Sequence, residues 1–85
     1  MPDKGLMDLT RLGDGKTGRV AEIRGGASAS QKLHAIGIVP GRILEKMSKA
    51  FMKGPVVVTV GTTRVAIGHG LAKKIFITPV PLSRS

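Results

Sequence analysis

The chain has 85 residues, 41% of them hydrophobic, and its 14 Lys and Arg against 5 Asp and Glu give a formal charge of +9. That length supports one small domain, which buries about 60% of the surface its unfolded form exposes. Cysteine is absent, which excludes disulfides, thiolate metal sites and cysteine nucleophiles and suits a reducing cytoplasm.

Residues 1–85 are expected to form a single domain with its core at about 9–80 and looser ends. The start, MPDKGLMDLT, has no signal-peptide h-region, and no apolar run approaches the roughly 18 residues of a membrane span. A soluble chain is expected. The charge implies attraction to something acidic: nucleic acid, an anionic membrane face or an acidic protein. Its cations are spread out, with loose clusters at Lys46, Lys49 and Lys53 and at Lys73 and Lys74, a pattern that a solvated surface also produces.

Leu6, Leu9 and Leu12 recur at i, i+3, i+6 and predict one amphipathic turn over the core. GDGKTG is a turn, and TGRVAEIR at 17–24 predicts a short strand. Val20 and Ile23 would face opposite ways in a fully extended chain, so this strand should twist strongly, as in a small barrel. Ser28 as N-cap and Gln31 three residues on read as a capping box opening a helix over 28–36, with Ala29, Leu33 and Ile36 on one face. A helix of about nine residues is marginal alone and must pack on the domain.

The helix exit, KLHAIGIVPGRIL, has the residues of a rigid joint. With the helix ending near Ile36, Gly37 takes the C′ position, Ile38 the C″ position and Leu33 the C3 position of a Schellman cap. Pro40 and Gly41 suit the centre of a type II turn feeding a strand over 42–48. After a loop at 49–54 come PVVVTV and TRVAI, joined by Gly61 and Thr62 as the Gly-X pair of a type II′ hairpin. Leu71 to Lys73 predict one helical turn, and KIFIT at 74–78 a last strand with Phe76 in the core. About five short strands, short turns and one small helix make a mainly β chain, a small barrel of SH3 or OB type.

No constellation for chemistry stands out. Gly15, Lys16 and Thr17 match the end of a phosphate-binding GxxxxGK[ST] loop, but position 10 is Thr10 rather than glycine and a strand, not a helix, should follow. His34 and His69 each lack a second ligand at i+3 or i+4, and the five carboxylates are scattered. No nucleophile lies beside a base. Nucleic-acid binding through phosphates is the generic alternative, although the stacking platforms of single-strand binders need aromatics, and only Phe51 and Phe76 exist. Phe51 and Met52 form an apolar tip between Lys49 and Lys53, suited to a protein or membrane contact.

The order of strand RVAEIRGG, helix QKLHAIGIVPGRIL, hairpin VVVTVGTTRVAIG and closing AKKIFITPV resembles the FeoA family, small cytoplasmic proteins that accompany the ferrous-iron transporter FeoB. The most specific match is L-x-x-x-G-I-x-P-G over residues 33–41, with Ile36 where the family usually has leucine; Gly61, Ala72 and Ile75 also fit. The resemblance implies an SH3-like barrel with a short helical insertion, no enzymatic activity, no cofactor, and an accessory or regulatory role through contact with the cytoplasmic part of FeoB. A similar barrel ends the iron-dependent repressors, but no helix-turn-helix accompanies it here. With no chemical site in such a fold, the apolar residues Leu33 and Ile38 at the helix exit, with Phe51 and Met52, are the expected docking surface. The cations would add attraction to an anionic cytoplasmic leaflet at about 1 kcal/mol each. Self-association through the hairpin edge is a further expectation.

Overall fold

The computed structural model of the protein describes residues 5–49 and 54–80. Its elements in chain order are β1 (Met7–Asp8), a 3-10 turn (Leu9–Arg11), β2 (Thr17–Ile23), α1 (Gly26–Ala35), β3 (Ile43–Lys49), β4 (Val56–Val60), β5 (Thr63–Ile67), α2 (His69–Ala72) and β6 (Ile75–Val80). The described strands form one antiparallel sheet in the order β1-β6-β2-β3-β4-β5. Leu9 of the 3-10 turn, Leu33 of α1 and Ala72 of α2 complete the core.

Six strands stand where about five were expected. The extra one is the two-residue β1, whose Met7 pairs with Ile77 and Asp8 with Phe76. The leucine spacing that suggested a helical turn still operates: Leu9 and Leu12 point into the core from the ends of the 3-10 turn, whose period of three suits i, i+3. Asp8 caps that turn by accepting from the Thr10 backbone N–H at 2.9 Å and from the Thr10 hydroxyl.

Alternation sorts the strands into faces. Val56, Val58 and Val60 of β4, Leu44 of β3, Val20 of β2 and Ile75 and Ile77 of β6 point inward and make the core with Leu33, Ile38 and Ile67. In β2 the register slips between Val20 and Glu22, leaving Ala21 as an extra residue. That bulge is how Val20 and Ile23, which strict alternation would separate, both reach the inner side. A second slip, between Lys46 and Ser48, bends β3 against β4. Gly18 of β2 lies opposite Pro79 of β6, and a Cβ there would come within 3.0 Å of the Ile77 Cδ1. The Ile77 side chain packs over this glycine, and a larger residue there would have to displace its tip.

At the exit of α1, the Gly37 N–H donates to the His34 carbonyl and the Ile38 N–H to the Leu33 carbonyl, both at 2.9 Å, with Gly37 at φ +89°. This is the bond pair of a Schellman cap. The Arg42 N–H then donates to the Val39 carbonyl at 3.0 Å across Pro40 and Gly41, and Gly41 has φ +94°, as the third residue of a type II turn requires. The Gly41 N–H also donates to the Val20 carbonyl, and Val20 N–H to the Arg42 carbonyl, so the joint is stitched to β2. In the β4–β5 hairpin, Val60 pairs with Thr63 around Gly61, whose φ is +64°.

The start of α1 differs from expectation. The helix begins at Gly26, capped by Gly25 in the left-handed region without a side-chain bond, so Ser28 and Gln31 form no capping box. Two consecutive glycines with positive φ let the chain turn directly from β2 into the helix, placing Ser28 in the first turn rather than before it. Phe76 differs too. It faces outward from β6 and is half-buried under Arg24, whose guanidinium carbon lies 3.9 Å from the ring centroid.

Candidate functional site

Leu33 and Ile38, expected at a docking surface, are both fully buried. The Schellman geometry explains why: it folds the C″ side chain back against C3, and both insert into the open side of the sheet. Phe51 and Met52 lie outside the described residues. The large apolar residues exposed among the described ones are Ile36, at the end of α1, and Ile43, facing outward from β3.

Lys46, grouped from the sequence with surface cations, is only 1% exposed. Alternation along β3 puts it on the same side as Leu44. Its ammonium donates to the carbonyls of Leu12 at 2.7 Å, Thr10 at 3.1 Å and Leu9 at 3.5 Å, satisfying the C-terminal end of the 3-10 turn where a cation is also favoured by the backbone dipoles. The backbone repeats the attachment, since Gly15 N–H donates to the Lys46 carbonyl and Lys46 N–H to that of Lys16. One residue of β3 thus fastens the segment 9–16 to the barrel. The GDGKTG stretch serves as the turn into β2.

That fastened segment forms one wall of a groove of about 500 Å³ at the barrel end where β1 enters and β6 leaves. Met7, Leu12, Pro79 and Val80 supply apolar lining, and the exposed Arg11 and Lys16 stand among them. Arg11 keeps its Nε 3.6 Å from the Asp8 carboxylate while its side chain remains 75% exposed. The groove was not read from the sequence, where Leu12 stood out only as a core-facing leucine and Lys16 and Thr17 only in the incomplete phosphate-loop pattern. The groove residues come from four separate elements, so no local pattern joins them; the i+2 alternation of Leu44 and Lys46 was the one available signal, and it pointed to the wall's anchor.

Positive charge dominates the described surface. Asp8 is engaged by Arg11 and Glu22 by Arg24, leaving Asp14 and Glu45 against exposed cations that include Lys16, Arg19, Arg42, Arg64, Lys73 and Lys74. Among the described residues no three of His, Asp and Glu gather as a metal cluster, and no helix is long and apolar enough to cross a membrane.

A bent antiparallel sheet of this strand order, with one helix between β2 and β3, is an SH3-like fold, and the protein falls in the class of small SH3-like barrels. The FeoA domain model matches residues 7–79. The chain belongs to the FeoA family, whose members have a role in ferrous iron transport systems. A crystal structure of an iron uptake regulatory protein (FeoA) is 35% identical, with a TM-score of 0.81 over 88% of this chain and 97% of that one. An FeoA-like protein from Clostridium acetobutylicum is 18% identical, with a TM-score of 0.82 over 96% and 95% of the two chains. A manganese-dependent transcriptional repressor reaches a TM-score of 0.83 at 23% identity, over 94% of this chain but 45% of its own. The last two likenesses concern the fold. No curated protein matches the chain.

Proposed function

We propose that the protein is a non-enzymatic accessory of ferrous-iron uptake that acts as a single domain, with its core at about residues 9–80, by contact with the cytoplasmic part of a FeoB-type transporter. The family match over residues 7–79 carries this reading. The 35% identity to an iron uptake regulatory protein over nearly the whole of both chains supports it. The protein works in the cytoplasm, near the inner face of the membrane, where its exposed cations are attracted to anionic lipid at about 1 kcal/mol per surface-adjacent charge. It needs no cofactor for this role.

Leu33 and Ile38 are buried in the core, so the contact surface is to be sought elsewhere. Phe51 and Met52 and the groove beside Arg11 and Lys16 are its candidates. The test is capture of the purified cytoplasmic region of a FeoB-type transporter by the immobilised protein, with Phe51→Ala and Lys16→Glu variants. Retention that weakens in at least one variant is expected. No retention even at low salt would refute the reading, and nucleic acid retained instead, with affinity falling steeply as salt rises, would establish phosphate binding in its place.

A further inference from the structure

The groove combines apolar walls, a cationic rim and a braced frame. We propose that it holds an extended acidic–apolar peptide segment of a partner protein, an apolar side chain lying between Met7, Leu12, Pro79 and Val80 and a neighbouring carboxylate beside Arg11 and Lys16. The identity of the natural partner rests on the accessory reading above; the ligand chemistry rests on the groove itself.

A volume of about 500 Å³ falls in the range of sites that enclose a compact ligand, roughly 300–1,000 Å³, and admits a few side chains of a peptide. No carboxylate belongs to the lining, and both charged residues in it are cations. The nearby Asp8 carboxylate already accepts from Thr10 and faces Arg11. An acidic occupant is therefore complementary and a basic one repelled.

The frame is preformed. The three Lys46 ammonium bonds and the Gly15–Lys46 backbone bond brace the wall from within the chain, so little ordering free energy has to be supplied on binding. Recognition runs through side chains, because Pro79 offers no N–H to an added strand. The chain's own residues 81–85, PLSRS, include Arg84 and no acidic side chain, so charge favours a partner's segment over this one.

The test uses the full chain, labelled with nitrogen-15, and three synthetic twelve-residue probes that alternate Glu with Leu, Lys with Leu, and Glu with Ser. The Glu-Leu probe is expected to bind with a Kd on the order of 10–100 µM and to shift the amide signals of Met7, Leu12, Lys16 and Val80 while leaving Ser30 and His34 still. Lys16→Glu, an exposed substitution that should keep the native spectrum, is expected to weaken binding roughly five- to tenfold; Gln31→Glu, on the outer face of α1, should not. Equal binding of the Lys-Leu probe, or shifts clustered away from the groove, would overturn the proposal. So would decanoate shifting the groove signals when no peptide does, which would make the site one for lipid-like amphiphiles. Removal of residues 82–85 that raises peptide affinity tenfold would make the chain's own tail the occupant, again overturning it. Since no transporter is present, failure here is distinct from failure to capture FeoB.

Discussion

Gly37→Val should destabilise the fold by straining the backbone, and the alanine variant isolates that strain. Gly37 sits at φ +89°, where an L-residue pays roughly 1–2 kcal/mol and a β-branched residue more. A Cβ there would meet the Val60 Cγ1 at 3.8 Å, ordinary contact, so alanine adds strain without a clash. At about 2.1 cal/mol/K per residue, an 85-residue chain has an unfolding entropy near 0.18 kcal/mol/K, and each kcal/mol lowers Tm by about 5–6 °C. Alanine should therefore cost roughly 6–11 °C, valine more, and asparagine, which tolerates the left-handed region, less than alanine. Thermal unfolding followed by circular dichroism gives the order. An alanine variant that melts like the parent, or an asparagine variant worse than alanine, would refute the strain argument and with it the cap's role in locking the helix to the barrel.

Lys46→Met keeps the apolar stem but orphans the buried Leu12 carbonyl and takes a bond from the part-buried Thr10 carbonyl, while Leu9 O retains the Leu12 N–H. At about 1–3 kcal/mol per orphan, Tm should fall by roughly 10 °C or more; a rise would mean that relief from burying the charge outweighs those bonds. Gly18→Ala forces a Cβ to within 3.0 Å of the Ile77 Cδ1 and should cost about 1–3 kcal/mol in denaturant unfolding. Ile77→Val deletes that Cδ1, so the double variant should lose less than the sum of the singles, and strict additivity would show that the two do not press on each other. Arg24→Ala removes the cation over Phe76; at an exposed site this is worth about 0.5–1 kcal/mol, and a loss well beyond that would mean that Arg24 does more than cover the ring.

The parts legible in the sequence are those governed by neighbours in the chain. The β4–β5 hairpin follows from alternation and a Gly-X turn, and β5 spans Thr63–Ile67 as read. The exit of α1 was legible for the same reason, since the cap positions at Leu33, Gly37 and Ile38 and the Pro40–Gly41 turn are local hydrogen-bond geometry. The direction a joint imposes was not. The same cap that made Leu33 and Ile38 recognisable also turns them inward, and an apolar residue at a helix end reads alike whether it meets a partner or its own core.

Chain composition and local pattern determined by themselves a small, basic, mainly β domain with one helix held by a rigid exit, because periodicity, turn chemistry and capping act over a few residues. Tertiary structure alone decided that Lys46 is an internal anchor rather than surface charge, and that two bulges admit Ile23 to the core and bend β3. It alone decided, too, that Met7, Arg11, Lys16 and Val80 share one groove. Each of these depends on which strand lies beside which, and sheet pairing joins residues up to seventy positions apart, as Met7 and Ile77 show. Spacing along the chain carries no record of that distance; register and burial do.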